Sequence, residues 1–580
     1  MKQPKCLQPE CIVPISRAST ADFKTGKWHR DRPFFQEKLS PCRIACPVGN
    51  HIALALYHAS RDRFDASLGV FLQENPLPGV CGRLCYHPCQ GDCNRNEFDG
   101  AVNIRALERS TSDLGDVQPT ALTDIGKKQP VAVVGSGPAG LAAAYHLSRM
   151  GHPVTVFEAQ KQAGGMLRLA IPQHRLPDAA LERDLARILN LGIDLQCDFR
   201  VDARKLEALL AEFQAVFYAV GAHQSRPLEV PGSERRQVIA GLHFLKAVRN
   251  GQIQKLAGRA VVIGGGNVAI DVAMSARRLG AEHVDIVSLE QHNELPAHEG
   301  DFLDAREEDI GFHHGWGPAE IRAVGDKVAG VKFIRCLSVF DERGRFAPDF
   351  NKKETLTLDA DWVIPAIGQR PDLGDPDKEI LNMAADNLLP TDALTLAASV
   401  KGLYVGGDVL GTPGSVAAAL GAGKRAALSI HLYLNPSAYN QDASSVALGK
   451  GAGFSIEEFF NPRPSWDPKG VVTFAEIDPL YLQHQGPLAQ PRRDPPQRCD
   501  GFAEINLGFN ADRALAEAGR CFFCGTCVGC ERCLLLCPDI SIHPIEGRTF
   551  MFQPHDEYCK GCGTCAAVCN RGVMKFGEGS

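Results

Sequence analysis

Hydrophobic positions along the chain follow two alternating patterns. Short apolar runs, such as residues 131–134, precede longer stretches in which apolar residues recur every three or four positions. Residues 127–159 read as strand, glycine turn, helix and a second strand ending in an acid, and residues 258–290 repeat that order. This repeat predicts two βαβ units, and the similar pattern at 402–427 predicts a return of the chain to the first unit.

The segments outside these units differ from them and from each other. Residues 52–75 carry apolar side chains at helical spacing and predict helices. Residues 436–512 are rich in proline and charge, which indicates an extended connector over the surface. At 580 residues the chain is long for one core, so we predict an α/β multidomain protein.

Charge and hydropathy exclude several classes of partner. The formal net charge is −6, with no long basic block, so we expect no nucleic-acid partner. No apolar run reaches the 18 or so residues of a membrane span, and the first 20 residues lack the apolar core of a signal peptide. We therefore expect a cytoplasmic protein without a membrane partner.

Most of the 21 cysteines fall into two groups near the ends of the chain. A large chain in a reducing compartment uses such groups for metal or iron–sulfur ligation more often than for disulfides. Five cysteines stand apart from the groups, and we expect them to be ordinary thiols: Cys6, Cys11, Cys197, Cys336 and Cys499.

The C-terminal group contains two runs of C-x2-C-x2-C-x3-C. Two such runs are typical of two-cluster ferredoxins, in which the fourth cysteine of each run ligates the other cluster, and zinc is the less favoured alternative. One predicted [4Fe–4S] cluster takes Cys527, Cys530, Cys533 and Cys569, and the other takes Cys559, Cys562, Cys565 and Cys537. Cys521 and Cys524 have no place in these two ligand sets. They are packing thiols, ligands in a shifted register, or part of an additional site.

The first glycine turn has the form GxGxxG between a strand and a helix. Glycines there allow close approach of a pyrophosphate to the helix N-terminus, and an acid at the second strand end can accept the ribose hydroxyls. The predicted dinucleotide contacts are Gly135, Gly137, Pro138, Ala139, Gly140 and Glu158.

The segments at 164–177 and 406–411 resemble the flavin-binding segments of the glutamate synthase small-subunit family. The resemblance implies that the first unit binds FAD. By the same resemblance, further FAD contacts are Gly165, Arg175, Val201, Gly407, Asp408, Ser415 and Val416.

The second glycine loop is similar to the NAD(P)H loop of this family, with expected contacts at Gly264, Gly266, Asn267 and Val268. Relatives that prefer NADPH carry arginines at the following strand end, where this chain has Leu289 and Glu290. A carboxylate accepts a hydrogen bond from a 2′-hydroxyl and repels a 2′-phosphate, so we predict a preference for NADH, unless Glu290 is an exposed loop acid. The resemblance also places the loop of Ala366, Ile367 and Gly368 beside the nicotinamide.

The N-terminal cysteines resemble the helical domain of the same family, which houses two [4Fe–4S] clusters. Relatives have a CxxC pair ahead of Cys42, and this chain does not. The resemblance implies one cluster on Cys46, Cys85 and Cys89. Its fourth ligand is a non-cysteine residue, Glu108, and Cys81 is the substitute ligand. Cys42 and Cys93 belong to the second cluster, which we expect to be lost or remodelled.

These expectations divide the chain into six segments. They are a helical iron–sulfur domain (1–125), an FAD domain in two parts (126–232 and 371–435), an NAD(P)H domain (233–370), a connector (436–512) and an α+β ferredoxin-like domain (513–580). We therefore predict two Rossmann-like nucleotide domains flanked by two iron–sulfur domains.

The predicted activity is electron transfer between NADH and a protein partner, through FAD and the clusters. FAD links a two-electron hydride donor to one-electron clusters, so no catalytic acid–base residue is predicted. Similar proteins with a fused ferredoxin domain serve dissimilatory sulfite reductase or 2-oxoacid:ferredoxin oxidoreductases. We expect such a redox partner, in a homo-oligomer or larger complex.

Three other functions are weighed against this one. A glutamate synthase small subunit is the main alternative, although such subunits end near the position of residues 435–450. A disulfide reductase needs a redox cysteine pair beside the flavin, and the nucleotide units hold only Cys197 and Cys336. A non-enzymatic iron–sulfur sensor would have a flavin that NADH does not reduce.

Overall fold

The computed structural model describes residues 24, 26, 29–122, 126, 128–373, 390–411, 414–437, 447, 448, 453–462, 466–480, 482–545 and 551–578. Cys6 and Cys11 lie outside the described residues, as do parts of the segments predicted at 371–435 and 436–512.

A helical domain follows two short strands near the N-terminus. The strands are β1 (Asp31–Phe35) and β2 (Glu37–Leu39). The helices are α1 (Pro41–Ala45), α2 (Ile52–Ala59), α3 (Phe64–Glu74), α4 (Pro78–Leu84), α5 (Pro88–Gly91) and α6 (Ile104–Leu114). Asn103 caps α6 by accepting a hydrogen bond from the N–H of Ala106, which satisfies a donor that the first turn leaves unpaired. The helices predicted over 52–75 are confirmed.

The first nucleotide unit is a parallel five-stranded sheet. Its strands are β3 (Val131–Val134), β4 (Val154–Phe157), β5 (Asp194–Gln196), β6 (Ala215–Tyr218) and β16 (Leu403–Val405), in the order β16-β6-β3-β4-β5. Every residue of β3 and β6 is buried, as a parallel strand covered on both faces requires. Its helices are α7 (Pro138–Arg149), α8 (Met166–Leu169), α9 (Asp178–Leu189) and α10 (Ala203–Glu212).

The chain leaves this sheet after β6 and returns to it at β16. The helix that follows, α14 (Val416–Leu434), packs against α7. A Cβ atom at Gly423 would lie 2.0 Å from the carbonyl oxygen of Ala139, so only glycine permits this approach of the two helices. The close packing holds the start of α14 beside the start of α7.

The second nucleotide unit is formed by the part of the chain between β6 and β16. Its elements are β7 (Gln224–Ser225), α11 (Gly241–Arg249), β8 (Arg259–Ile263), α12 (Asn267–Arg278), β9 (His283–Ser288), α13 (Glu299–Glu307), β10 (Gly311–His314), β14 (Trp362–Pro365) and β15 (Gln369–Arg370). A parallel sheet runs in the order β10-β9-β8-β14. An antiparallel sheet of β11 (Trp316–Val324), β12 (Lys327–Phe340) and β13 (Phe346–Leu358) is added, which the sequence analysis did not predict.

The C-terminal region contains α15 (Ile456–Phe460), β17 (Trp466–Val471), α16 (Pro495–Arg498), α17 (Ala511–Gly519), α18 (Arg532–Leu535), β18 (Ile542–Pro544), β19 (Phe552–Pro554), α19 (Thr564–Ala567) and β20 (Met574–Glu578). Helix α17 packs against α2 and α6 of the helical domain. Strand β1 pairs with β20, and β2 pairs with β17. Segments near the two ends of the sequence therefore lie together.

Candidate electron-transfer site

One cavity of about 1680 Å³ lies where the two nucleotide units meet. It exceeds the several hundred cubic ångströms of an ordinary small-molecule pocket. The starts of α7, α12 and α14 line it, and helix N-termini offer unpaired N–H groups and positive dipole ends to phosphates. The predicted contact residues on its wall are Gly135, Gly137, Pro138, Ala139, Glu158, Gly165, Val201, Gly264, Gly266, Asn267, Val268, Glu290, Ala366, Ile367, Gly368, Gly407, Asp408, Ser415 and Val416.

Backbone approach in the first glycine loop is too close for side chains. A Cβ atom at Gly165, whose φ is 53°, would lie 2.7 Å from the Cα atom of Gly137. Gly140 does not line the cavity, but a Cβ there would meet the carbonyl oxygen of Gly135 at 1.8 Å. The glycines thus form a narrow cradle, which fits a pyrophosphate.

Two carboxylates stand at the edges of this cradle. Glu158 follows β4 and accepts hydrogen bonds from the backbone N–H groups of Ser136, at 2.9 Å, and Gln160, at 2.8 Å. Asp408 accepts from the N–H of Gly414 at 3.0 Å, and burial raises the pKa of its carboxyl group. Both side chains reach the cavity wall, where polar groups of a flavin dinucleotide would be held.

Arg175 lies at the boundary between the two nucleotide units. Its guanidinium pairs with Asp271 and Asp301 of the second unit, each at 2.9 Å. It is not among the side chains that line the large cavity. Arg175 ties the two units together in this structure, and its contact with FAD stays a prediction.

The second glycine loop faces the cavity from the opposite side. A Cβ at Gly264, with φ 140°, would lie 2.4 Å from the carbonyl oxygen of Ala366, so the predicted nicotinamide loop passes directly against this turn. Glu290 is half-buried just beyond β9, and its Oε2 atom would lie 2.7 Å from a Cβ at Gly265. The carboxylate is therefore beside the loop, where a ribose hydroxyl would bind.

The residues of the cavity wall that the sequence analysis did not name include Tyr86, His223 and Lys246. The Lys246 Nζ atom is 3.3 Å from Nδ1 of His223, and burial together with the Lys246 charge lowers the pKa of His223 to about 4. Tyr86 directly follows Cys85, so its ring connects the helical domain to the cavity. These residues carry no motif, which leaves the sequence without a signal for them.

The helical domain gathers Cys46, Cys81, Cys85, Cys89 and Glu108. Burial, with the charges of Glu108 and Cys85, raises the pKa of Cys46 to about 11. Burial is the largest cause that raises the pKa of Cys81 and of Cys89. The charges of Cys46 and Cys85 raise both pKa values further. The predicted ligands of one cluster therefore lie together, with the substitute ligand beside them.

Glu108 is held in this group by three polar partners. Its Oε1 atom accepts hydrogen bonds from Asn75, at 2.8 Å, and Asn50, at 3.2 Å, and its Oε2 atom is 2.8 Å from Nε2 of His87. Partners of this kind orient ligands in metal sites. The Glu108 side chain is 4% exposed, so it is shielded from water.

The ferredoxin-like region brings its two cysteine runs together. Cys569 is an electrostatic neighbour of Cys527 and Cys533, and Cys537 is a neighbour of Cys565. Cys537, Cys559, Cys562 and Cys565 line one small cavity. This crossed arrangement fits the predicted ligand sets, which stay predictions.

Cys42 and Cys93 lie at the edge of the helical domain, next to Cys521 and Cys524. The described cysteines are free thiols. Within the part of the chain that the structure describes, no three His, Cys, Asp or Glu side chains are gathered closely enough for a single metal ion. Thiols around a cubane stand further apart, because four irons lie between them.

Two protein families match parts of this chain. Residues 129–423 match the family described as pyridine nucleotide-disulphide oxidoreductase. Residues 35–118 match dihydropyrimidine dehydrogenase domain II, 4Fe-4S cluster. Among the described residues, no helix combines the length and apolar character that crossing a membrane requires.

Three relatives illustrate the range of similar proteins. The NADPH-Fe(3+) oxidoreductase subunit beta of Geobacter sulfurreducens is 32% identical, over 86% of this chain and 77% of its own length. The NADP(+)-dependent formate dehydrogenase subunit beta of Moorella thermoacetica is 33% identical, over 84% and 70%. The glutamate synthase [NADPH] small chain of Azospirillum brasilense is 31% identical, over 68% and 86%.

The resemblance stated from the sequence is confirmed, as is the predicted α/β multidomain fold with Rossmann-like and iron–sulfur domains. The family supports FAD, a pyridine nucleotide and iron–sulfur clusters as cofactors. The chain belongs to the pyridine nucleotide-disulphide oxidoreductase family and is an NAD(P)H-dependent iron–sulfur flavoprotein oxidoreductase.

Proposed function

We propose that the protein passes electrons between NADH, FAD and [4Fe–4S] clusters, to or from a redox partner at its ferredoxin-like region. The observation that carries this proposal is the single cavity lined by both glycine loops, with Tyr86 connecting it to the cysteines of the helical domain. FAD bound there would accept an electron pair and release electrons singly. The residues of the chain hold and orient the two dinucleotides.

Positioning accounts for most of what these residues do. The starts of α7 and α14 would bind the FAD phosphates, Glu158 the ribose, and the start of α12 the phosphates of the coenzyme. The Ala366–Gly368 loop, which packs on Gly264, would orient the nicotinamide. Holding the two rings in one cavity makes the transfer between them effectively unimolecular.

Glu290 supports NADH as the preferred coenzyme, because its carboxylate would repel a 2′-phosphate. The names of the three relatives above carry NADPH or NADP(+), so this preference sets the chain apart from them. Measurement of kcat/KM with both coenzymes tests it directly.

An exposed apolar surface supports electron exchange with a protein. Leu535, Leu536 and Ile540 are 72%, 47% and 76% exposed and flank Cys537, while Cys530 and Cys562 are also exposed. Apolar patches beside a redox site suit a docking partner. We propose a partner such as a sulfite reductase or a 2-oxoacid:ferredoxin oxidoreductase, in the cytoplasm.

Anaerobic titration of the purified holoprotein with NADH tests the function. We expect the flavin absorbance to bleach, followed by reduction of the clusters. A flavin that stays oxidised would contradict the proposal and favour a sensor or scaffold.

The glutamate synthase small chain is the second candidate, favoured by the similarity over 68% of this chain. Copurification with a glutamine-hydrolysing protein, and glutamate formation by that pair, would support it. Copurification with an oxidoreductase lacking that activity would support the first proposal, and Ile540→Lys should then weaken the complex.

A further inference from the structure

Four thiols from opposite ends of the chain surround one small cavity at the junction of the helical domain and the C-terminal region. Cys42 follows the start of α1, and Cys93 precedes the short helical turn Asn94–Glu97. Cys521 and Cys524 come from the segment after α17. All four side chains line the same cavity, although more than 400 positions in the sequence separate Cys42 and Cys93 from Cys521 and Cys524.

Each pair among the four thiols is close enough for the charge of one thiolate to influence the other. Cys42 interacts with Cys93 and Cys521, Cys521 with Cys93 and Cys524, and Cys524 with Cys42 and Cys93. The four sulfurs therefore form one interacting group around this cavity.

Polar groups around this cluster of thiols suit negatively charged sulfur. The backbone N–H of Phe523 donates to Sγ of Cys521 at 3.3 Å, and Nδ2 of Asn94 donates to Sγ of Cys524 at 3.5 Å. The Arg571 guanidinium, which donates to the carbonyl of Phe522 at 2.6 Å, is an electrostatic neighbour of Cys521 and Cys524. Hydrogen bonds and positive charge stabilise the thiolates of iron–sulfur clusters.

The cavity is lined by four cysteines, as is the cavity among the predicted ligands of one ferredoxin-like cluster. It measures about 20 Å³, against about 10 Å³ for the cavity among Cys537, Cys559, Cys562 and Cys565. The thiols are not gathered for one metal ion, which disfavours a tetrahedral zinc site with its short Zn–S bonds. They are also not joined as disulfides.

We propose that Cys42, Cys93, Cys521 and Cys524 ligate an additional [4Fe–4S] cluster that bridges the helical domain and the C-terminal region. The site accounts for both pairs of cysteines that the sequence left without a complete ligand set. Of the two expectations for the second N-terminal cluster, it favours remodelling over loss, with two ligands supplied from the other end of the chain.

The location also gives the cluster a function, and this part rests on the proposed electron transfer. Cys42 is an electrostatic neighbour of Cys46 and Cys89 in the helical domain. On the other side, Arg571 interacts with Cys530 and Cys569 of the ferredoxin-like region as well as with Cys521. The cluster would take single electrons from the helical-domain cluster and pass them to the nearest ferredoxin-like cluster, or the reverse.

Iron and acid-labile sulfide per FAD, measured on the full chain after anaerobic reconstitution, test the site. Four clusters correspond to about 16 iron atoms per chain, and three clusters to about 12. We expect Cys42→Ser and Cys521→Ser each to lose about four irons, and the double variant to lose no more than either single variant. Cys499→Ser, at a thiol outside both groups, should lose none.

Several results would overturn the assignment. They are about 12 irons in the wild-type protein, full iron content in Cys521→Ser, zinc bound in place of iron, or additive losses in the double variant. The wild-type count decides the question even if a variant fails to fold. Flavin bleaching by NADH reports on the proposed function separately: a variant that lacks the cluster should still bleach, while its ferredoxin-like clusters are reduced more slowly.

Discussion

The ammonium of Lys424 donates a hydrogen bond to Oε2 of Glu74 at 2.6 Å, and both side chains are 1% exposed. Lys424 lies in α14 of the FAD unit and Glu74 ends α3 of the helical domain. Lys424 also donates to the carbonyl of Phe454 at 2.6 Å, and the Glu74 carboxylate accepts from the N–H of Ile456 at 3.1 Å. A buried ion pair therefore joins the flavin unit to the first iron–sulfur domain.

Breaking this pair should destabilise the contact between the two domains. Lys424→Met leaves the Glu74 carboxylate buried without its cation, and we expect a loss of about 3–5 kcal/mol. The urea midpoint of the first unfolding transition measures it. Lys401→Met, at an exposed lysine, should change stability by less than about 0.5 kcal/mol, and an equal loss in both variants would contradict the argument.

Glu290→Arg should raise kcat/KM for NADPH relative to NADH by about tenfold or more, because a repelling carboxylate is replaced by a guanidinium that binds a 2′-phosphate. Glu290→Gln, which removes only the charge, should give a smaller change in the same direction. Steady-state kinetics with a dye acceptor measures both. An unchanged ratio in Glu290→Arg would remove this residue from the coenzyme site.

Gly165→Ala should reduce FAD binding, since its Cβ would lie 2.7 Å from the Cα of Gly137 inside the cradle. Gly192 provides a matched control, because its φ is also positive, at 81°, but nothing lies within 4 Å of its Cβ position. Gly192→Ala should cost only about 1–2 kcal/mol of stability and keep its flavin. FAD per chain after desalting separates the two, and equal retention would contradict the cradle.

The fourth ligand of the helical-domain cluster can be identified by substitution. We expect Glu108→Ala to lose about four irons and Cys81→Ser to keep them, because Asn50, Asn75 and His87 already orient the Glu108 carboxylate. Iron content and the electron paramagnetic resonance spectrum of the reduced protein measure the outcome. The reverse pattern would make Cys81 the ligand.

A buried histidine pair should make the fold sensitive to acid. Nε2 of His152 is 2.8 Å from Nδ1 of His431, and burial, with His152 nearby, lowers the pKa of His431 to about 4. The unfolded chain takes up this proton near pH 6.5, so the stabilisation is complete above that pH and is lost as the pH falls toward 4. At pH 5.5 the loss is about 1.4 kcal/mol.

Thermal unfolding of the wild-type protein and of His431→Gln between pH 8 and pH 5.5 checks this sign. The variant should start less stable and show a flatter dependence on pH. A parallel decline of both proteins would show that other groups control the acid sensitivity.

Much of the nucleotide site was predictable because its signals are local. Each glycine loop lies between a strand and a helix that are adjacent in sequence, so the positions of Gly135 and Gly264 could be assigned from spacing. Arg175 was not predictable in this way, since its partners Asp271 and Asp301 lie about 100 residues away. The pairing of β1 with β20 joins residues more than 500 positions apart and left no pattern in the chain.

The sequence by itself determined the two βαβ units, the eight ferredoxin-type cysteines and the family, because turns, helix starts and cluster runs are encoded over a few neighbouring residues. Only the tertiary structure decided where Cys521 and Cys524 belong. Helix α17 packs on α2 and α6, and this packing carries the two thiols to Cys42 and Cys93. Contacts between distant segments depend on how whole domains bury their apolar faces, which the local spacing of cysteines does not record.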